Sequence, residues 1–568
     1  MNQKAISIGI ESYKEIVDRP YYYVDKTLLI KDLLDNGTLV SCFTRPRRFG
    51  KTLALSMLKT FFELEMDSKG NVIDNSHYFE GMKIAEAGEC YMNQQGKYPV
   101  ISLSLKSAKQ PDFDMAYQCM IQDIAYEYDR HRYVLLGEAL SDADKAIYTS
   151  IMERKGEKAQ YATSLKFLAE CLKKYHGRNV VILIDEYDVP LENAYFRGFY
   201  NQMIDFVRSL FESALKTNDS LEFAVITGCL RISRESIFTG LNNLEVISVL
   251  NENYSEYYGF TESEVKEMLR TYGLEEKLQE VKQWYDGYLF GNTEVYNPWS
   301  VLNQTKEWFD DKDILAMPWW ANTSSNNIIR TLIGQADDET KGIIENLIHG
   351  GSVETVLKET VTYGDLTENN ENIWSFLFFT GYLKIKEIVK TGELTGEPTI
   401  YSLVIPNLEI KSCYTDIIIQ YFEIYKKAIN KDNLYKALLG RNAQDFAEQI
   451  TDLLRKTISY YDSTESFYHG LISGLLSGNV YYKVESNRET GDGRSDLVLY
   501  QQDVAQNAVI LEFKVCGKNE TADDAAKRAL KQINDRDYAS KAREDGYKNI
   551  IKYGVAFKGK MCYAIVES

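Results

Sequence analysis

Eight consecutive residues, Arg45-Pro46-Arg47-Arg48-Phe49-Gly50-Lys51-Thr52, carry the most specific chemistry in this chain. They close on Gly-Lys-Thr, the end of the phosphate-binding pattern G-x-x-x-x-G-K-[ST]. In that pattern backbone N–H groups curl around phosphate oxygens, and the following helix adds its N-terminal dipole. Lys51 then reaches the β- and γ-phosphates of ATP, and Thr52 holds Mg²⁺. Arg45 stands where the first glycine belongs. With Arg47 and Arg48 it adds positive charge where phosphates would sit, and Phe49 and Gly50 complete the loop. The expectation is a phosphate site gripped by arginine side chains as well as by backbone. The missing glycine leaves turnover of the nucleotide open.

A second cluster follows the apolar run Val180-Val181-Ile182-Leu183-Ile184, which ends in Asp185-Glu186. A buried strand of this kind delivers carboxylates at its C-terminal edge, in the Walker B layout. Asp185 is expected to hold Mg²⁺ through water, and Glu186 to polarise the attacking water. An apolar run before Asp-Glu is common as a strand entering a turn. With Gly-Lys-Thr upstream it is much less so.

A third cluster lies near the C-terminus. Asp496 leads into Leu497-Val498-Leu499, and the run Ala508-Val509-Ile510-Leu511 ends in Glu512-Phe513-Lys514. Residues two apart on a strand share a face, so Glu512 and Lys514 point the same way. An acid and a base on one face of an apolar strand are costly without a partner or metal. If the two strands pair, Asp496 and Glu512 can share one Mg²⁺, and Lys514 can orient or deprotonate a water. That arrangement hydrolyses phosphodiesters. It resembles the PD-(D/E)XK nuclease superfamily, with Ser495 in place of the proline before the aspartate. The resemblance implies two more positions: Glu465, on the helix ahead of the strands near the metal, and Gln532, on the helix after Lys514.

These residues need strands and helices to hold them. From 1 to 255 the chain alternates strands and helices, the sign of a mostly parallel sheet covered on both faces. The predicted strands are Leu39–Phe43, Pro99–Leu105, Val180–Ile184, Glu222–Ile226 and Glu245–Val249. The fourth ends in Thr227, at the place where AAA-type ATPases carry their sensor 1 residue; a strand-capping threonine reads equally well. From 256 to 430 the pattern is mainly helical, a lid and spacer. Thr261 and Glu264 form a capping box there, and Asn322–Asn327 reads as a polar cap before a helix near Ile328. Gly364 to Asn372 reads as a loop. From 431 to 568 helices give way to extended runs at Tyr481–Glu485, Asp496–Tyr500 and Ala508–Val515. A polar helix from Ala522 to Ala542 and strands at Gly554–Phe557 and Met561–Val566 follow. Lys527, Arg528, Lys531 and Arg536 on that helix could face a phosphate backbone, or form a solvated face balanced by Asp523, Asp524 and Asp535.

The chain of 568 residues is too long for one core. Its net charge of −18 requires any nucleic-acid surface to be a local basic patch. The eight cysteines show no C-x-x-C pair, which speaks against a zinc ribbon and suits a reducing cytoplasm. No run of about eighteen apolar residues predicts a membrane span.

Taken together, the motifs resemble a bacterial family that joins an AAA-ATPase-like domain to a C-terminal PD-(D/E)XK nuclease domain. The carriers are Tyr22–Thr27, Arg45–Thr52, Leu183–Asp188, Ile237–Leu244, Tyr285–Tyr288 and Tyr296–Trp299, with the nuclease residues above. That family shows R-P-R-R-F-G-K-[ST], so Arg45 is a family trait. The resemblance implies an α/β fold with a P-loop parallel sheet, a helical middle and an α/β nuclease-like domain. It implies ATP and Mg²⁺ as cofactors, nucleic acid as partner with DNA favoured over RNA, and nucleotide control of the nuclease. The rival reading is a nucleotide-dependent switch or binding module with little turnover. A homo-oligomer would need an arginine finger, for which Arg231, Arg234 and Arg330 are candidates by position.

Overall fold

Continuous apolar runs become central strands when both sheet faces are covered. In the computed structural model five such runs form one parallel sheet. They are β1 (Val40–Thr44), β2 (Val100–Ser104), β3 (Val180–Asp185), β4 (Leu221–Gly228) and β5 (Leu244–Ile247). The structure describes residues 4–567 except 217, 232–236, 239–241, 323–330, 333–336, 349, 362–369, 392–397, 415–430, 458–467, 469–471, 473–474, 477–481, 491–492, 502–506 and 518–519. The strand order is β2-β3-β4-β1-β5. It inserts β4 between the strand that ends at the phosphate loop and the strand that ends at Asp185. Register aligns Phe43 with Thr227 and Ile184 with Ile226, so the C-terminal tips of β1, β4 and β3 meet at one edge. Every residue of β1 and β3 is buried, which is why both runs lack polar alternation.

The chain divides into two compact units: residues 1–326 with 353–413, and residues 327–352 with 414–568. The first unit holds the parallel sheet and most of the middle region. That region has the expected helices, among them Glu262–Tyr272, whose capping box joins Thr261 and Glu264. It also carries two small antiparallel sheets. One pairs β6 (Phe260–Thr261), β8 (Thr293–Tyr296) and β7 (Tyr288–Phe290). The turn between β7 and β8 is Gly291-Asn292, the two-residue hairpin for which Gly-Asn is a signal. The other pairs β9 (Val353–Val356), β11 (Ile400–Val404) and β10 (Lys384–Lys390). A helix spans Asn370–Phe379, so it takes up the last residues expected as loop.

The second unit is built on a five-stranded mixed sheet in sequential order. Its strands are β12 (Tyr482–Thr490), β13 (Gly493–Gln501), β14 (Asn507–Val515), β15 (Asn549–Lys558) and β16 (Met561–Val566). Only β14 and β15 run parallel. The two faces of β14 are sorted by period 2. Val509, Leu511 and Phe513 join a core with Leu438, Phe446 and Ile450, from helices Lys431–Leu439 and Ala443–Thr457. Ala508 and Ile510 instead meet Ile533, Tyr538 and Ala539. The polar helix is shorter than its sequence suggests. It runs Ala522–Asp535, and Ser540–Glu544 forms a separate short helix. Asp537, with φ 45, breaks the run, and Tyr538 and Ala539 drop into the core. The helix lies close on β15: a Cβ on Gly554 would sit 2.1 Å from the Ala526 carbonyl oxygen.

Three expectations fall outside the described residues: Glu465, the cap expected at Asn322–Asn327 with the start of its helix, and arginine-finger candidates Arg234 and Arg330. Among the described residues no helix is long and apolar enough to cross a membrane.

Candidate functional site

Gly50 takes φ 82 and opens the helix Lys51–Phe62, a left-handed turn that glycine makes without strain. Arg48 is also left-handed, at φ 69, and its guanidinium lies 4.1 Å over the Trp299 ring. Lys51 Nζ donates to the carbonyl oxygens of Arg45 and Pro46, both at 2.9 Å, so the ammonium sits inside the curl of the loop. Thr52 Oγ1 donates to Asp185 Oδ2 at 2.6 Å, and the Thr227 hydroxyl donates to Asp185 Oδ1. One carboxylate thus joins the loop helix, β3 and the tip of β4. Thr227 is fully buried there, so it touches Asp185 rather than capping its own strand. Beyond it, a Cβ on Gly228 would lie 2.5 Å from the Tyr187 ring, which requires glycine.

Glu186 follows Asp185 with φ 52, a strained conformation of the kind that gathers at functional sites. Its carboxyl is raised above the ordinary range by burial and by Asp185, against the pull of Lys51. A cleft of about 390 Å³ opens over the loop, within the range of small-ligand sites. Arg47, Arg48, Lys51, Thr52 and Glu186 are among the residues that line it. Tyr22, Val24, Phe260, Trp299 and Leu302 add an apolar part to the same lining. The middle region therefore completes the cleft.

The expected role of Arg45 needs correction. Its side chain is fully buried and points away from the cleft lining. Nη1 donates to the carbonyl oxygens of Thr44 (3.0 Å) and Ile247 (2.8 Å). The guanidinium lies 5.4 Å from the Tyr258 ring centre and 5.1 Å from that of Phe290. Contact with the two rings offsets part of the cost of burying this planar cation without a carboxylate; its Nε and Nη2 have no hydrogen-bond partner among the described residues. Phe49 packs the same way, against Tyr288, Phe290 and Trp320. The loop's arginine and phenylalanine therefore fasten it to the middle region.

Arg47 does line the cleft, and its Nη2 bonds both carboxylate oxygens of Glu192, at 2.7 and 2.6 Å. Glu192 was not expected as a site residue. A signal existed: Pro190 marks the start of the helix Val189–Arg197, which puts Glu192 in its first turn beside the loop. Asp188, also unassigned, is buried and accepts from the backbone N–H groups of Cys229 (2.8 Å) and Leu230 (3.1 Å). Arg231 pairs with Glu359 at 3.1 Å.

In the second unit the three charged residues meet. The register Leu497↔Leu511 and Val498↔Ile510 brings Asp496 beside Glu512. Asp496 N–H donates to Glu512 Oε2 at 3.3 Å, and Phe513 N–H donates to Asp496 Oδ2 at 2.8 Å. Lys514 Nζ reaches Glu512 Oε1 at 3.2 Å. Glu512 is buried, and burial and then Asp496 push its carboxyl up to about 7, with Lys514 opposing. Two neighbouring carboxylates, one desolvated, form a donor set that fits a hard divalent cation. Gln532 sits on the helix over this face, where its amide donates to the Tyr538 hydroxyl at 3.1 Å. On the same helix Lys527 pairs with Asp523, and Arg528 with Glu520.

Residues 7–238 match the family model described as a predicted AAA-ATPase, and residues 463–567 match that of the PD-(D/E)XK nuclease superfamily. The chain pairs an AAA-ATPase-like domain with a PD-(D/E)XK nuclease-superfamily domain. It is 26% identical over 562 residues to an uncharacterized protein from the region 5′ of vnfD in Azotobacter chroococcum, covering 96% of this chain and 95% of that one. Among solved structures it is similar to a Walker-type ATPase of Pyrococcus abyssi, with TM-score 0.36 and 11% identity, over 69% of this chain and 96% of that one. The matched ATPase-like segment contains the loop, Asp185, Glu186 and Thr227, and the nuclease-superfamily segment contains Asp496, Glu512, Lys514 and Gln532.

Proposed function

We propose that this protein binds ATP at the loop of its ATPase-like domain and hydrolyses phosphodiester bonds of nucleic acid, DNA before RNA, in its nuclease-superfamily domain. Nucleotide state controls that cleavage, and the setting is the cytoplasm. The observation that carries the reading is the Asp496–Glu512–Lys514 cluster: two carboxylates and an ammonium on one face of an otherwise apolar pair of strands. Buried, perturbed carboxyl groups of this kind gather at sites that do chemistry.

At the nucleotide site, Lys51 and the backbone of Arg47–Gly50 hold the phosphates, and Thr52 and Asp185 hold Mg²⁺. Glu186 takes the position of general base. Its carboxyl, raised by burial and by Asp185, is a better proton acceptor than an ordinary carboxylate. Thr227 fixes the orientation of Asp185 through their hydrogen bond. At the nuclease site, Asp496 and Glu512 would hold Mg²⁺, and the Lys514 ammonium would orient the attacking water, with Gln532 at the edge of the substrate path. Mg²⁺ at either site supplies charge neutralisation to the phosphate under attack. Glu465 belongs to the same metal set.

Functionally we divide the chain into an ATPase-like part at 1–255, a lid and spacer at 256–430 and a nuclease part at 431–568. The lid role is supported by Phe260, Trp299 and Leu302, which line the nucleotide cleft. A second reading, a nucleotide-dependent switch with little turnover, is favoured by Phe49 and Arg48, which tie the loop to that lid.

The test is Mg²⁺-dependent cleavage of DNA and RNA, with and without ATP, by the wild type, Lys51→Ala and Lys514→Ala. Lys514→Ala is expected to lose cleavage while keeping ATP binding, and Lys51→Ala the reverse of that binding. Equal cleavage by wild type and Lys514→Ala would remove the nuclease assignment. ATP binding that Lys51→Ala abolishes, with no turnover of either substrate, would establish the switch.

A further inference from the structure

The phosphate loop presents one cation, Arg47, that already has an anionic partner. Its guanidinium holds both oxygens of Glu192, and the pair is mostly enclosed, with 22% of the Arg47 side chain and 8% of the Glu192 side chain exposed. Arg47 also lines the cleft beside Lys51. Nη2 alone spans both Glu192 oxygens, and a guanidinium serves a phosphate oxygen as well as a carboxylate, so the two anions compete for the Arg47 charge.

Glu192 sits one turn from Asp188, which is fully enclosed and has one carboxylate oxygen, Oδ1, without a hydrogen-bond partner. Moving Arg47 off Glu192 therefore takes one cation from a helix start that holds two enclosed carboxylates a turn apart. Breaking an enclosed ion pair is unfavourable, which favours a shift of the helix. That helix, Val189–Arg197, leads directly from Glu186 and is tied by the Asn193 amide to the Gln110 carbonyl oxygen, next to Lys109 of the cleft lining.

We propose that the Arg47–Glu192 ion pair is a latch on the phosphate loop: Arg47 exchanges the Glu192 carboxylate for the terminal phosphate of a bound nucleoside triphosphate. The exchange turns occupancy of the cleft into movement of the helix behind Glu186. Glu192 is then an internal competitor that lowers affinity for the triphosphate. The inference rests on the nucleotide reading above.

The experiment measures calorimetric binding of ATP and ADP, in Mg²⁺, to the full chain and to Glu192→Gln, Glu192→Asp, Arg47→Ala and the double variant Arg47→Ala/Glu192→Gln. Glu192→Gln weakens the competing partner and is expected to bind ATP about tenfold more tightly, roughly the weight of one charge-assisted pair. ADP affinity is expected to change less. Glu192→Asp keeps the charge but shortens the reach, so it is expected to gain affinity too, by a smaller factor. In the Arg47→Ala background the Gln substitution is expected to change nothing. A gain that persists in that background, or that is absent from Glu192→Asp, would overturn the latch in favour of simple charge repulsion. An equal gain for ADP would overturn the assignment to the terminal phosphate. If the wild type itself binds no ATP, the nucleotide reading fails and the latch with it. If it binds ATP and the Glu192 variants match it, only the latch fails.

Discussion

Arg45→Met separates holding the loop from holding the phosphate. Methionine has a similar length without charge. The variant takes a donor from the carbonyl oxygens of Thr44 and Ile247, each an expected loss of about 1–3 kcal/mol when buried. Losing the contacts with the Tyr258 and Phe290 rings adds about 1–2 kcal/mol. Against this, burial lowers the guanidinium from 12.5 to about 10, and such a shift opposes the folded charged form by about 3 kcal/mol. Because the folded value lies below the unfolded one, the charge opposes folding throughout the neutral range, and methionine relieves that opposition. The balance is a net loss of about 2–3 kcal/mol. The first unit has roughly four hundred residues, and unfolding entropy near 2.1 cal/mol/K per residue turns that loss into a fall of about 3 °C in its melting transition. Scanning calorimetry of the full chain without nucleotide reads the transition, and titration calorimetry reads ATP affinity. The expected pattern is a lowered transition with ATP affinity within about fivefold of wild type. An unmoved transition with affinity reduced more than tenfold would refute the reasoning and make Arg45 a phosphate ligand.

Gly554→Ala places a Cβ 2.1 Å from the Ala526 carbonyl oxygen and 2.8 Å from the Leu530 nitrogen, both backbone atoms of the covering helix. It is expected to destabilise the second unit by about 1–3 kcal/mol or more, read as a lower melting transition with ATP binding intact; an unchanged transition would mean the helix has room to lift. Glu512 has a folded value raised to about 7 from 4.5, so its contribution to stability is complete below about pH 4.5 and is lost as pH rises to about 7. Metal binding needs the ionised form, so Mg²⁺ affinity at this site is expected to fall about tenfold per pH unit below 7. Calorimetric affinity that stays flat from pH 5 to 7 would contradict that coupling.

The parallel sheet was legible because four of its five strands are buried along most of their length. An unbroken apolar run such as Val180–Ile184 has no other home in a chain of this composition. The pairing of Asp496 with Glu512 was legible for a related reason: each carboxylate adjoins an apolar run, Leu497-Val498-Leu499 or Ala508–Leu511, where charge stands out. What could not be read was the direction of side chains in a loop. Arg45, Arg47 and Arg48 look alike in sequence, yet one is sealed beneath the loop, one pairs with Glu192 and one stacks on Trp299. Their fates depend on partners 145 to 251 residues away, such as Glu192 and Trp299. Short strands of the middle region escaped because β6 to β8 are two to four residues long, too short for a period to show. The break in the polar helix at Asp537 escaped because no glycine or proline marks it.

A charge sealed from solvent is also sealed from mobile ions. Dissolved salt screens surface charges over a Debye length of about 8 Å at physiological strength, but it cannot enter the space between Tyr258 and Phe290. Arg45 stays protonated at neutral pH even with its lowered value. It therefore sets a standing positive potential at the root of the loop, fixed when the chain folds and independent of ionic strength. The charges of Arg47 and Arg48, at the cleft, are by contrast screened as salt rises. A glycine at position 45 would remove that standing charge from the root of the loop and leave its Lys51 ammonium, its backbone and the screened charges at the cleft.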